Sequence, residues 1–179
     1  MNSKDFYKSY QADDKVGFIG EYLLVKIKEE NPQHVLDFGC GSGKHIDRLN
    51  REGIPTIGVD ISLMNIQRAK FKYDLPCVVC SDETYLRNLC NVDVVFTVSV
   101  LDHIKDIDEI IAEFKRISNK CVYLAETNDA HVGEFYYKHS YEKLGFKKLK
   151  DFEWKGEDGA MYYIWKWTKE EELFAGLQA

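Results

Sequence analysis

The run Val35-Leu36-Asp37-Phe38-Gly39-Cys40-Gly41-Ser42-Gly43 constrains this chain more than any other stretch. An apolar, strand-like segment delivers an acid into a glycine-rich turn, and a helix-like segment follows. Glycine takes up left-handed backbone without penalty and lets the main chain come close to a ligand. Such a turn can therefore hold a nucleotide-like cofactor. A second strand, Thr56-Ile57-Gly58-Val59, ends in Asp60, where a carboxylate can take both hydroxyls of a ribose. The spacing is G-x-G-x-G rather than G-x-G-x-x-G, and an acid stands two residues before the first glycine.

Strand-like and helix-like segments alternate with short breaks, which predicts a doubly wound, Rossmann-like α/β sheet. Val16, Ile19, Leu23 and Ile27 stripe an opening helix behind the aromatics Phe6, Tyr7 and Tyr10. The first strand is expected at residues 34–38, and the helix after Gly43 turns Ile46 and Leu49 inward. Ser62 offers an N-cap for a helix through Met64 to Phe71. Cys77 to Cys80 reads as a short third strand, and Val92 to Val98 as a fourth, apolar enough to be covered on both faces. Ile107, Ile110, Ile111, Phe114 and Ile117 stripe the next helix, and residues 121–125 form strand five. Tyr137, Tyr141 and Leu144 predict a further helix closed by Gly145. Phe146 to Trp154 and Met161 to Trp167 then read as a β-hairpin around the Gly156–Gly159 turn, with the tryptophans packing the sheet. One domain over residues 1–179 is expected: a helical segment at 1–30, then a core at 34–168 that ends in the hairpin.

At 179 residues and 45% hydrophobic composition the chain can bury a core without metal or disulfide staples. A net charge of −6 gives no footprint for nucleic acid, and Lys147, Lys148 and Lys150 read as solvated surface. The five cysteines are odd in number, and Cys77-x-x-Cys80 has no second ligand pair, so buried reduced thiols are expected and no metal site. No signal-like segment or membrane-length apolar run is visible, which predicts a cytoplasmic protein.

The acid before the glycine turn, the turn itself and the spaced Asp60 together resemble the cofactor site of class I S-adenosylmethionine-dependent methyltransferases. The hairpin ending likewise resembles the family's seven-stranded sheet, mostly parallel with an antiparallel last strand. The resemblance covers roughly residues 16–168 and is most specific over 35–103. It implies S-adenosylmethionine as cofactor, with Asp37 at the methionine ammonium and Phe38, Gly39, Cys40, Gly41 and Gly43 forming the turn beneath it. Asp60 is implied at the ribose, Ile61 and Met64 at the adenine face, and Asp82 at the adenine amine, with Ser81 and Glu83 as rivals for that last role. Ser99 is expected at the cavity, and Tyr10, or Tyr7, as a lid. An acid at the turn suits a cationic cofactor and would repel a pyrophosphate. Asp60 also has a simpler reading, as an acid favoured by a helix N-terminus.

Val98-Ser99-Val100-Leu101-Asp102-His103 leaves strand four without any N-P-P-Y or D-P-P-Y quartet. Leu101-Asp102-His103-Ile104 resembles instead the L-E-H-V run of small-molecule methyltransferases. His103 is the candidate general base, since imidazole titrates at about pH 6.5; it reads equally as a residue that orients the following helix. Glu126 to His131 with Tyr136, Tyr137 and His139 remain to shape an acceptor pocket. The implied reaction is in-line methyl transfer to a small-molecule acceptor, in which positioning dominates. A protein or RNA acceptor and a non-catalytic cofactor-binding subunit stand as alternatives. A nicotinamide oxidoreductase is opposed by the glycine spacing and Asp37.

Overall fold

The computed structural model describes residues 16–127, 136–156 and 159–177. Helix α1 (Phe18–Glu29) precedes β1 (Val35–Phe38), α2 (Lys44–Arg51), β2 (Thr56–Asp60), α3 (Leu63–Tyr73) and β3 (Val78–Cys80). After a 3₁₀ turn at Glu83–Asn88 come β4 (Val92–Val98), a second 3₁₀ turn at Leu101–His103, α4 (Asp108–Ile117) and β5 (Ser118–Thr127). The chain ends with a 3₁₀ turn at Tyr141–Leu144, then β6 (Lys147–Lys148), β7 (Trp154–Lys155), β8 (Met161–Thr168) and α5 (Lys169–Leu177).

The strands form one sheet in the order β3-β2-β1-β4-β5-β8-β6, with β7 also on β8. Strands β1 to β5 pair in parallel, whereas β8 runs antiparallel to β5. The central strands are apolar at every position because both faces are covered. Val95, Val122 and Leu124 point into a cluster with α4, while Val94, Phe96, Tyr123 and Ala125 point into one with α1. On α4, Phe114 is fully buried and meets Phe38 edge to face at 5.1 Å, a contact that contributes about 0.5–1.5 kcal/mol beyond area burial. No helix among the described residues is long and apolar enough to cross a membrane.

The last long strand, β8, is inserted antiparallel beside β5, as the resemblance implies. Three expectations change and one helix is new. The hairpin arm read at Phe146 to Trp154 is broken into the two short pieces β6 and β7, both paired with β8, so the edge is one interrupted strand. The interruption exists because Phe152 leaves the edge to bury itself against Tyr22 at 4.6 Å. The helix expected from Tyr137 through Leu144 shrinks to the single 3₁₀ turn Tyr141–Leu144. The backbone at 137 and the side chain at 139 are committed to another segment, described below, and Gly145 closes the turn at φ +85°. The cysteines are free but not uniformly buried: Cys40 and Cys121 are, whereas Cys80 and Cys90 are exposed. Lastly, α5 was not anticipated; its first turn carries Glu170, Glu171 and Glu172, suited to a helix N-terminus.

Candidate active site

Strand order reverses between β1 and β4, and in such sheets the crevice outside the carboxyl ends of the strands is where ligands bind. A cavity of about 760 Å³ opens there, large for a small-molecule site of about 300–1,000 Å³. The ends of four of the five parallel strands contribute: Phe38 from β1, Val59 and Asp60 from β2, Ser81 after β3, and Val98 from β4.

The floor is the glycine turn. Gly39 and Cys40 both donate their N–H to Val59 O, at 2.8 and 3.0 Å, which ties the turn to β2. Gly39, Gly41 and Gly43 all sit at positive φ, yet for different reasons. A Cβ on Gly39 would stand 2.3 Å from Val100 Cγ2. Gly43 does not line the cavity: a Cβ there would meet Leu75 and Ala69 at 2.7 and 3.0 Å, so its glycine serves helix packing rather than a ligand. Asp37 lies beneath the floor, 1% exposed and outside the cavity lining, and its Oδ2 has no hydrogen-bond partner among the described residues. His45 Nδ1 stands 3.7 Å from it.

Asp60 is braced by the chain itself. Its Oδ2 accepts from Gly41 N at 2.8 Å and its Oδ1 from Ser62 N at 2.8 Å, with Asn65 Nδ2 at 3.4 Å. Burial raises its pKa, and the donors from Ser62, Gly41 and Asn65 hold that rise in check. The two short bonds occupy half of the roughly four acceptor sites of a carboxylate, and the Asn65 contact is the longest of the three. Ile61 lines the cavity beside it, but Met64 sits on α3, exposed and outside the lining. Asp82 lines the cavity with Ser81 and Glu83, and its Oδ1 accepts from Thr84 N at 3.1 Å as the cap of the following 3₁₀ turn.

The far wall is the Ser99–His103 turn. Ser99 adopts φ +53°, a left-handed conformation unusual for a residue with a side chain. Its N–H donates to Ala125 O at 3.0 Å. His103 lines the cavity, with its Nε2 3.5 Å from Asp102 Oδ1 and its ring edge-on to Tyr136 at 4.7 Å.

Glu126 does not shape the cavity as expected. It is fully buried below the turn, where Oε1 accepts from Thr97 Oγ1 at 2.6 Å and both oxygens accept from Val100 N at 3.1–3.2 Å. Burial, and then the neighbouring Asp102, push its pKa up to about 8. From above, Tyr137 N donates to Asp102 O at 2.7 Å, and His139 Nε2 stands 3.0 Å from both Leu101 O and Ile104 O. With two carbonyls as partners, that nitrogen carries the proton. Tyr7, Tyr10 and residues 128–131 lie outside the described residues. Sequence reasoning missed His45, Asn65 and Tyr162, which also line the cavity. Asn65 had a local signal in its position three residues after the Ser62 cap; Tyr162 had none, because β8 reaches the cavity only through its antiparallel insertion.

The fold and cavity define an α/β protein with a ligand site at the sheet's point of reversal. The chain matches the family model described as a methyltransferase domain over residues 7–160, and it belongs to that family. A ubiquinone biosynthesis O-methyltransferase of Pelagibacter ubique is 33% identical over 91 residues, covering 48% of this chain and 38% of that protein. The chain therefore matches well under half the length of that relative. In fold, it is similar to magnesium protoporphyrin IX methyltransferase from Synechocystis, solved with bound S-adenosylhomocysteine, at TM-score 0.71 and 16% identity over 88% of this chain and 89% of the other. It is also similar to the N-methyltransferase NodS of Bradyrhizobium japonicum, at TM-score 0.69 and 11% identity over 93% and 96%.

Proposed function

We propose that the chain is an S-adenosylmethionine-dependent methyltransferase acting on a small-molecule acceptor. The observation that carries this reading is the convergence of the Gly39–Gly41 turn, Asp60 and the Ser99–His103 turn on one cavity of about 760 Å³. Bound S-adenosylmethionine supplies a sulfonium methyl, an electrophile that needs little covalent help from the protein. The residues present fit such a group. Gly39 and Gly41 bring bare backbone to the floor, Asp60 offers its outer lone pairs to a ribose hydroxyl, and Asp82 with Ser81 offers acceptors for an exocyclic amine. Asp37, whose Oδ2 has no hydrogen-bond partner among the described residues, is a buried acid beneath the floor whose charge favours the cationic end of such a cofactor.

The acceptor end is the wall built from Val98, Ile104, Tyr136 and Tyr162 around His103. These side chains exclude water and orient an apolar or aromatic body, which is how positioning lowers a barrier. His103 takes the proton of a hydroxyl acceptor, with Asp102 beside it to stabilise the imidazolium. The activity named for the Pelagibacter relative, O-methylation in ubiquinone biosynthesis, supports an oxygen acceptor of small size.

Titration calorimetry with S-adenosylmethionine and with NAD tests the cofactor: binding of the first alone is expected, and binding of neither overturns the reading. Incubation with methyl-labelled S-adenosylmethionine and a metabolite extract tests the acceptor. Label found only in macromolecules overturns the small-molecule assignment. His103→Ala is expected to lower the rate above about pH 6.5, where an imidazole is neutral and can take a proton; an unchanged rate across pH withdraws the base role and leaves methyl transfer standing.

A further inference from the structure

The turn that carries Ser99 and His103 is held by chain segments that no cavity contact requires. Below it, fully buried Glu126 gathers Thr97 Oγ1 and the N–H of Val100, and the Leu101 N–H is directed at it as well. Above it, the Tyr137 N–H and the His139 imidazole take the carbonyls of Leu101, Asp102 and Ile104. Ser99 keeps its left-handed φ between these two supports. A second buried acid, Asp102, 2% exposed, lies within the same turn and next to His103.

We propose that Glu126 is a positioning residue for this site: buried beneath the Ser99–His103 turn and bonded to its Val100 N–H, it keeps the turn in its cavity-lining conformation while it and the buried Asp102 carry one charge between them, and a second charge releases the turn. The proposal rests on the methyltransferase reading only for what the turn is used for. The physical argument is independent of it. Two carboxylates buried together cannot both ionise without strong repulsion, so they retain one proton between them into the alkaline range. With one proton, the pair bears a single charge and Asp102 stays beside His103. With none, two like charges face each other inside the turn.

The other groups facing Glu126 do not supply this transition. Tyr141, buried on the same side, is raised by burial and by Glu126 and Asp102 far beyond the range at issue. Tyr163, its cross-strand partner on β8, donates its hydroxyl to Glu153. His139 holds its proton between two carbonyls, and His103 lies beyond Asp102.

The test needs no acceptor. Calorimetry with S-adenosylhomocysteine from pH 6 to 9 on the wild type is expected to show affinity falling on the alkaline side, by up to about tenfold per pH unit for one linked proton. Glu126→Gln is expected to abolish that fall. Thr97→Val removes a hydroxyl that stabilises the ionised form, so the fall moves to higher pH, which a purely structural role would not do. Amide exchange at Val100, corrected for base catalysis, is expected to lose protection over the same range in the wild type and not in Glu126→Gln. Flat affinity and flat exchange in the wild type overturn the proposal, as does a fall that persists in Glu126→Gln. Failure of S-adenosylhomocysteine to bind at any pH sinks the methyltransferase reading alone, while amide exchange still decides the role of Glu126.

Discussion

Asp60 at the end of β2 and Glu126 near the end of β5 are both buried acids that accept main-chain N–H groups, the first in the cavity lining and the second beneath the Ser99–His103 turn. Their supports differ. Asp60 takes its donors from residues 19, 2 and 5 positions away, all within one strand–turn–helix crossover. Glu126 reaches 29 and 26 residues back, to Thr97 and Val100, and has Asp102 against it. A carboxylate braced only by donors is a fixed acceptor. One braced by donors and opposed by a second acid is poised between two charge states. On the proposed reading, the cofactor half of the site is braced by local contacts and the acceptor half is conditional on a proton.

The largest effects should fall on the locally braced half. Asp60→Ala removes the acceptor from Gly41 N and Ser62 N and, with it, the proposed ribose partner. With charged hydrogen bonds contributing about 1.5–3 kcal/mol, S-adenosylhomocysteine affinity should drop about 10- to 100-fold by calorimetry. Unchanged affinity would reduce Asp60 to a brace for the turn. Next comes Gly39→Ala, which forces a side chain into φ +76° and drives its Cβ into Val100. The left-handed conformation costs about 1–2 kcal/mol and overpacking about 1–3 more. Gly53→Ala is the control, since it has φ +79° with nothing within 4 Å and should show only the first part. Equal shifts in the urea midpoint would mean that Val100 gives way and that the two halves of the site are not mechanically linked through it.

The same contrast explains what could be read from the chain. The β1 turn, Asp60 and the Ser62 cap lie within a single crossover, so glycine spacing and one acid at a strand end make them visible. Apolar runs such as Val92 to Val98 likewise announce strands covered on both faces, and the alternating contacts of Val94 and Val95 follow from that. Glu126 looked like a loop acid because its partners are distant in sequence and are main-chain N–H groups, which leave no residue signature. The stripe of Tyr137, Tyr141 and Leu144 misled for a related reason. Its helical spacing is real, but Tyr137 N and His139 are consumed by the Leu101–Ile104 carbonyls, and a helix there would strip that turn of its donors. Met64 fell outside the lining because α3 turns Asn65, Ile66 and Ala69 inward instead.

The conditional half should show itself in the pH dependence of stability. The unfolded chain has Glu126 ionised above its ordinary value of 4.5, whereas the folded protein keeps it protonated up to about 8. Between those values the native state binds one proton more, so stability falls as pH rises, by about 1.4 kcal/mol per pH unit at most. The contribution is complete below the unfolded value and gone once the pH has passed the folded one. Urea midpoints from pH 5 to 9 should therefore decline more steeply in the wild type than in Glu126→Gln. Parallel curves would mean that Asp102, not Glu126, holds the proton.

The smallest effect probes the upper support of the turn. His139→Phe keeps a ring near Tyr141 but leaves the carbonyls of Leu101 and Ile104 without their donor, at a cost of about 1 kcal/mol because water can reach part of this segment. His139→Gln retains a donor on a similar reach and should recover part of the loss in the urea midpoint. Amide exchange of residues 100–104 carries the finer distinction. If His139→Phe raises exchange only at 103 and 104, the turn is clamped independently from two sides, with Glu126 holding its start and His139 its end. If exchange rises evenly from 100 onward, the two supports act as one, and the acceptor half of the site is a single cooperative unit governed from both of its buried edges.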